Sequence, residues 1–87
     1  MQFALYYYES CPFCQRVLKP LRLHQWPVAL HDIMLCPADR EDLIHGSGCS
    51  TVPCLKITDN QEKEIWMHES IDILALLQRH FNLSEPK

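Results

Sequence analysis

With 87 residues, 47% of them apolar and 22% charged, the chain has room for one domain around one modest core, and its balance is that of an ordinary globular protein. The formal net charge is -3 without any run of Lys or Arg, which gives no reason to expect a nucleic-acid or anionic-membrane partner. No apolar stretch approaches the roughly 20 residues needed to span a bilayer, and Met1-Gln2-Phe3 does not read as the start of a signal peptide.

Phe3-Ala4-Leu5-Tyr6-Tyr7-Tyr8 is apolar and rich in strand formers, and it predicts a buried strand. Glu9-Ser10 turns the chain, and Ser10 or Cys11 is placed to cap a helix. Pro12 suits the first helical turn, where a missing N–H costs nothing. Phe13, Val17 and Leu21 recur every four residues with Leu18 beside them, so a helix is expected from about Pro12 to Gln25. Pro20 lies inside that run and is expected to kink it or to end its first half.

Trp26-Pro27 reads as a connection, and Val28 to Ile33 as a second strand. Pro37 opens a short helix from Ala38 to about Ile44, which Gly46-Ser47-Gly48 is expected to end. Pro53 to Thr58 and Lys63 to Met67 flank the turn signal Asp59-Asn60-Gln61 and predict a hairpin. Ser70 is the expected N-cap of a last helix whose apolar face is Ile73, Leu74, Leu77 and Phe81. The tail Ser84-Glu85-Pro86-Lys87 is expected to fray. The order is β-α-β-α-β-β-α over a single domain, residues 1–87. Its first two strands are expected to be parallel and its hairpin antiparallel, giving a four-stranded mixed α/β sheet with helices on both faces.

The five cysteines are Cys11, Cys14, Cys36, Cys49 and Cys54. An odd number without a signal peptide argues against a secreted disulfide scaffold and for a reducing cytoplasm. Cys11-Pro-Phe-Cys14 stands between a strand and a helix start. There a thiolate is favoured by the positive end of the helix dipole, and a second thiol about one turn on is close enough to form a disulfide. The competing reading is half of a zinc site completed by Cys49 and Cys54. Against it, Gln15 continues a helix where a zinc knuckle usually carries Gly, and Cys54 follows a proline in a strand.

The Cys11-Pro-Phe-Cys14 motif, Thr51-Val52-Pro53 downstream, Arg40-Glu41-Asp42-Leu43 with Gly48 before it, and this element order together resemble the glutaredoxins, the smallest form of the thioredoxin fold. The resemblance covers essentially the whole chain. It implies a glutathione-dependent thiol-disulfide oxidoreductase, with glutathione as co-substrate, disulfide or glutathionylated proteins as substrates, no metal centre, and a monomer. It also implies roles. Cys11 is the nucleophile and Cys14 the resolving thiol; Phe13 walls the cleft. Thr51, Val52 and Pro53 form a cis-proline loop whose Val52 N–H and C=O pair with an extended cysteinyl backbone, as an added strand would. Two departures matter. Many glutaredoxins place Lys three residues before the first cysteine, where this chain has Tyr8, with Glu9 the nearest charge. Many also carry a Gly-Gly and an acidic pair before the last helix, where this chain reads Glu69-Ser70. That pair resembles the glutathione site of glutathione-transferase N-terminal domains. Glu69 would take the amine and Ser70 the α-carboxylate of a γ-glutamyl group. A plain helix cap beside an acid explains the same two residues.

Other readings stay open at this point. Arg40 reaches the glycyl carboxylate or is simply solvated. Cys36, Cys49 and Cys54 are small packing residues, or Cys49 and Cys54 regulate the loop they flank. His24, His31, His45 and His80 suggest no metal site, and His68 beside Glu69 is expected in solvent. A glutathione-transferase-like activity, an iron–sulfur-bridging dimer and a thioredoxin-like electron donor share the fold; the first normally needs a following helical domain.

Overall fold

The computed structural model describes residues 1–82; the tail expected to fray lies outside the described residues. The elements are β1 (Gln2–Tyr7), α1 (Pro12–His24), β2 (Ala29–Asp32), α2 (Pro37–Ser47), β3 (Cys54–Thr58), β4 (Glu64–Met67) and α3 (Ser70–Asn82), the α/β order expected. They form one four-stranded sheet in the order β2-β1-β3-β4. β1 pairs parallel with β2, Ala4 opposite Ala29, and antiparallel with β3, Leu5 opposite Leu55. β3 and β4 form the hairpin, Ile57 opposite Ile65.

Side-chain alternation along β1 explains its unbroken apolar run. Phe3, Leu5 and Tyr7 pack into a core with Val17, Leu18 and Leu21 of α1 and Ile73 and Leu77 of α3. Tyr6 faces the other way, into a smaller cluster with Ile33, Leu43 of α2 and Cys54. The central strand is therefore buried on both faces, as helices on both sides require. On the smaller face the ring of Trp66 lies directly against Gly46, where a side-chain carbon would collide with it.

Pro20 neither ends nor divides α1, which runs through it to His24. An internal proline costs a helix about 3 kcal/mol. Burial of Val17, Leu18 and Leu21 around it offsets that cost. The helix stops instead at Gln25, whose left-handed backbone (φ 54°) sends its N–H back to the Arg22 and Leu21 carbonyls. α2 is longer than expected at both ends: it starts at Pro37 and includes Gly46 and Ser47. Gly48 alone closes it, with φ 85° and its N–H donating to the Ile44 carbonyl at 2.9 Å. Val28, Pro53 and Lys63 lie just outside the strands expected to contain them. Ser70 is the first residue of α3 rather than its cap; the Glu69 carbonyl accepts the first helical bond, from the Ile73 N–H at 3.0 Å.

Candidate active site

Cys11 caps α1 with its own sulfur. Its backbone is extended (φ -77°, ψ 119°), and the Cys14 N–H donates to Cys11 Sγ at 3.3 Å. An otherwise orphaned helical donor thus points at the sulfur, at the positive end of the helix dipole. Pro12 occupies the first turn without competing for that role. The sulfur thus meets a backbone donor and the helix end, with Tyr8 in place of the lysine noted above.

Two neighbours of the motif bear on that difference. Glu9 is not a free charge beside the motif. Arg22 grips its two oxygens at 2.9 Å each, and Gln15 Nε2 donates to it at 3.0 Å. Those partners hold the Glu9 carboxyl down to about 2. Tyr8, which stands where lysine was missed, is raised above the ordinary phenol value. The first cause is the electrostatic influence of Cys11; desolvation and hydrogen bonding to the Cys11 sulfur follow. A phenol that keeps its proton beside a sulfur can donate to it.

Cys14 differs sharply. It is wholly buried, and its thiol is raised well above the usual range, by burial first and then by its hydrogen bond with Cys11. Both thiols are free. At neutral pH Cys14 therefore holds its proton, and the two sulfurs of the motif stand in different settings, Cys11 at the helix end and Cys14 deeper in the core.

Phe13, 55% exposed, turns away from the core into a groove of about 210 Å³. Thr51, Val52, Pro53, His68, Glu69 and Ser70 line the rest of it. The Val52–Pro53 peptide bond is cis. Three stretches remote in sequence thus supply one groove, on which Phe13, Thr51, Val52, Pro53, Glu69 and Ser70 all lie. Cys11 and Cys14 do not line it; they sit in the adjoining core, against which Tyr8 and Val52 pack. Arg40 is exposed on α2 and does not line the groove. Glu69 has φ 62°, a left-handed conformation that is uncommon for a residue with a side chain and that concentrates at functional sites. Beside it Ser70 is 7% exposed, at the N-terminal end of α3, where backbone N–H groups favour an anion. Asp72 shares that first turn and works against an anion there.

His68 corrects an expectation. It is half-buried, lines the groove, and lies 3.4 Å from the sulfur of Cys49 through Nε2. Nothing local in the sequence announces this, because the contact joins the end of the hairpin to the loop after α2. Among the described residues no group of three or more His, Cys, Asp or Glu side chains is placed to hold a metal ion, so Cys11, Cys14, Cys49 and Cys54 do not converge as a zinc set. No helix among the described residues is long and apolar enough to cross a membrane.

A glutaredoxin family model matches residues 3–62. No curated protein matches. Several solved structures do. Glutaredoxin 2 from Salmonella typhimurium in complex with glutathione is 25% identical, with TM-score 0.67, over 97% of this chain and 35% of that one. The trimeric glutathione transferase TDR1 of Leishmania is 26% identical, with TM-score 0.69, over 90% of this chain and 17% of that one. The thioredoxin-like protein BC3987 shares the fold, with TM-score 0.65 at 20% identity, over 87% of this chain and 99% of that one. The chain thus spans well under half the length of the two glutathione proteins. The fold is thioredoxin-like, of the kind that carries glutathione-related thiol oxidoreductases. A family match over well more than half of the sequence, on a fold shared with these structures, leads to one assignment: the chain belongs to the glutaredoxin family.

Proposed function

We propose that this protein is a glutathione-dependent thiol-disulfide oxidoreductase, acting as a cytoplasmic monomer on disulfide and glutathionylated proteins. The observation that carries this reading is the Cys11 sulfur capped by the Cys14 N–H at 3.3 Å, beside a groove lined by Phe13, Thr51, Val52, Pro53, Glu69 and Ser70.

The Cys11 thiolate attacks the glutathionyl sulfur of a mixed disulfide. That S–S bond breaks, a Cys11–glutathione disulfide forms, and the protein thiolate leaves and takes up a proton. During this step the γ-glutamyl carboxylate rests at the N-terminal end of α3 by Ser70, and its ammonium meets Glu69. The cysteinyl backbone pairs with the N–H and C=O of Val52. A second glutathione thiolate then attacks the glutathionyl sulfur. It releases glutathione disulfide and restores the Cys11 thiolate; in balance, one glutathionylated protein and one glutathione become one protein thiol and one glutathione disulfide.

In the second route the Cys14 sulfur attacks Cys11 Sγ of the mixed disulfide instead; that S–S bond breaks, the partner leaves as a thiolate and takes up the Cys14 proton, and two glutathiones then reduce the Cys11–Cys14 disulfide and leave as glutathione disulfide. Burial and Cys11 keep the Cys14 thiol protonated, which makes this route the slower one from a glutathionyl intermediate. It is the route a protein disulfide needs.

The test is a glutathione-coupled assay on wild type, Cys11→Ser and Cys14→Ser. Cys11→Ser is expected to fall to background. Cys14→Ser is expected to keep removal of glutathione from mixed disulfides while losing most reduction of protein disulfides. Full activity of Cys11→Ser would refute the assignment of the nucleophile. Conjugation of an electrophile to glutathione, without disulfide reduction, would refute the reaction class.

A further inference from the structure

The proposed reaction leaves three cysteines unused, and their settings differ. Cys54 is wholly buried, and burial pushes its thiol up to about 12. Cys36 is half-buried at the start of α2. Cys49 is the exposed one, in the loop that Gly48 opens after α2. Its sulfur lies 3.4 Å from His68 Nε2, with the Ser47 hydroxyl at 4.0 Å. The Cys49 thiol is lowered, first by the Thr51 backbone N–H, then by the Thr51 hydroxyl, with Ser47 adding to them. An imidazole nitrogen in contact with an exposed thiol is the arrangement that activates cysteine nucleophiles. This pair is outside the redox motif but not remote from the groove, since His68 and Thr51 both line it.

We propose that Cys49 and His68 form a second reactive-thiol site, at the rim of the groove, that is modified by small-molecule disulfides. His68 Nε2 accepts the Cys49 proton. The Cys49 thiolate attacks one sulfur of the disulfide, whose S–S bond breaks as the mixed disulfide on Cys49 forms. The departing thiolate takes the proton from the His68 imidazolium. In balance, one protein thiol and one disulfide become one mixed disulfide and one small thiol; Cys49 is oxidised and the departing half is reduced. That the disulfide is glutathione disulfide rests on the function proposed above; the reactivity of the pair does not.

The experiment uses the Cys11→Ser/Cys14→Ser protein, in which the redox motif is silent. It is treated at neutral pH with glutathione disulfide and, separately, with bis(2-hydroxyethyl) disulfide, and the adducts are mapped by peptide mass spectrometry. With either reagent Cys49 is expected to be labelled at least about threefold faster than Cys36, an advantage of the size a more ionised thiol retains after its lower intrinsic nucleophilicity is counted. Adding His68→Gln is expected to reduce that advantage, Thr51 and Ser47 holding the remainder, while labelling of Cys36 in the same sample reports that the fold is intact. Labelling of Cys49 no faster than Cys36, or indifferent to His68→Gln, would overturn the proposal. Fast, His68-dependent labelling by both reagents without preference for the glutathione one supports the second site and counts against the glutathione groove instead.

Discussion

The two faces of the sheet are built to different depths. Among the described residues, fourteen buried side chains from β1, β3, α1, α3 and the Trp26–Val28 connection form one continuous core on one face, with Cys11 and Cys14 inside it. On the other face, Tyr6, Ile33, Leu43 and Cys54 are the buried ones among the described residues, with Ala4, Tyr8, Val52 and Trp66 partly covering them. The redox motif therefore belongs to the thick layer, where packing fixes the start of α1 and leaves the Cys11 sulfur one geometry. The opposite wall of the groove, and the loop carrying Cys49 and Thr51, follow α2, which rests on the thin layer. Cys11 thus rests on the thick core, while the groove draws on both: Phe13 and Ser70 stand on α1 and α3, and Val52 packs against each cluster.

Truncating each core separates them most strongly. Leu77→Ala in the thick layer is expected to cost toward the upper end of the about 2–5 kcal/mol typical of such changes, because its neighbours on α1 cannot collapse onto the space. Leu43→Ala is expected to fall toward the lower end of about 2–5 kcal/mol, and to raise KM for glutathione more than it lowers kcat, because it loosens α2 and the rim. Denaturant titration and steady-state kinetics measure both. Equal costs with no change in KM would erase the distinction between the faces.

A smaller effect sharpens the account of the thick face. Tyr8→Phe removes the donor held beside the Cys11 sulfur and keeps the ring. Alkylation of Cys11 near neutral pH is expected to slow by about threefold to tenfold, the weight of one charge-assisted hydrogen bond partly replaced by water. An unchanged rate would leave the cap from Cys14 as the sole support.

The smallest effect is a titration. The Glu9 carboxyl is depressed from 4.5 to about 2 by Arg22 and then Gln15. Its contribution to stability is complete above 4.5, the unfolded value, and is lost as pH falls toward about 2. NMR titration should find Glu9 still ionised where other carboxylates have protonated, and Arg22→Ala should return it to the ordinary range. The pair is exposed, so the change in overall stability is expected to be slight.

These contrasts also explain what could be read from the sequence. Every helix and strand was legible, because each carries its own period, cap or turn residue. The end of α1 was not placed at Pro20 by packing, although the local rule favours a break there; burial of Val17, Leu18 and Leu21 outweighed it. The groove residues other than His68 were legible through Cys11-Pro-Phe-Cys14, Thr51-Val52-Pro53 and Glu69-Ser70, of which the last two gained their roles from the resemblance to known families rather than from local chemistry. The Cys49–His68 contact was not, because residues 19 apart meet only once α2 and the hairpin are in place. Tyr8 was noticed as a missing lysine; that its phenol stands beside the Cys11 sulfur needed the fold to be seen.

The most direct test of the central claim is an NMR structure of the Cys14→Ser protein carrying glutathione on Cys11 as a mixed disulfide. The account predicts contacts from the cysteinyl group to Val52 and from the γ-glutamyl group to Glu69 and Ser70. A glutathionyl group that instead lies free in solvent, with the signals of Val52, Glu69 and Ser70 unmoved, would contradict it.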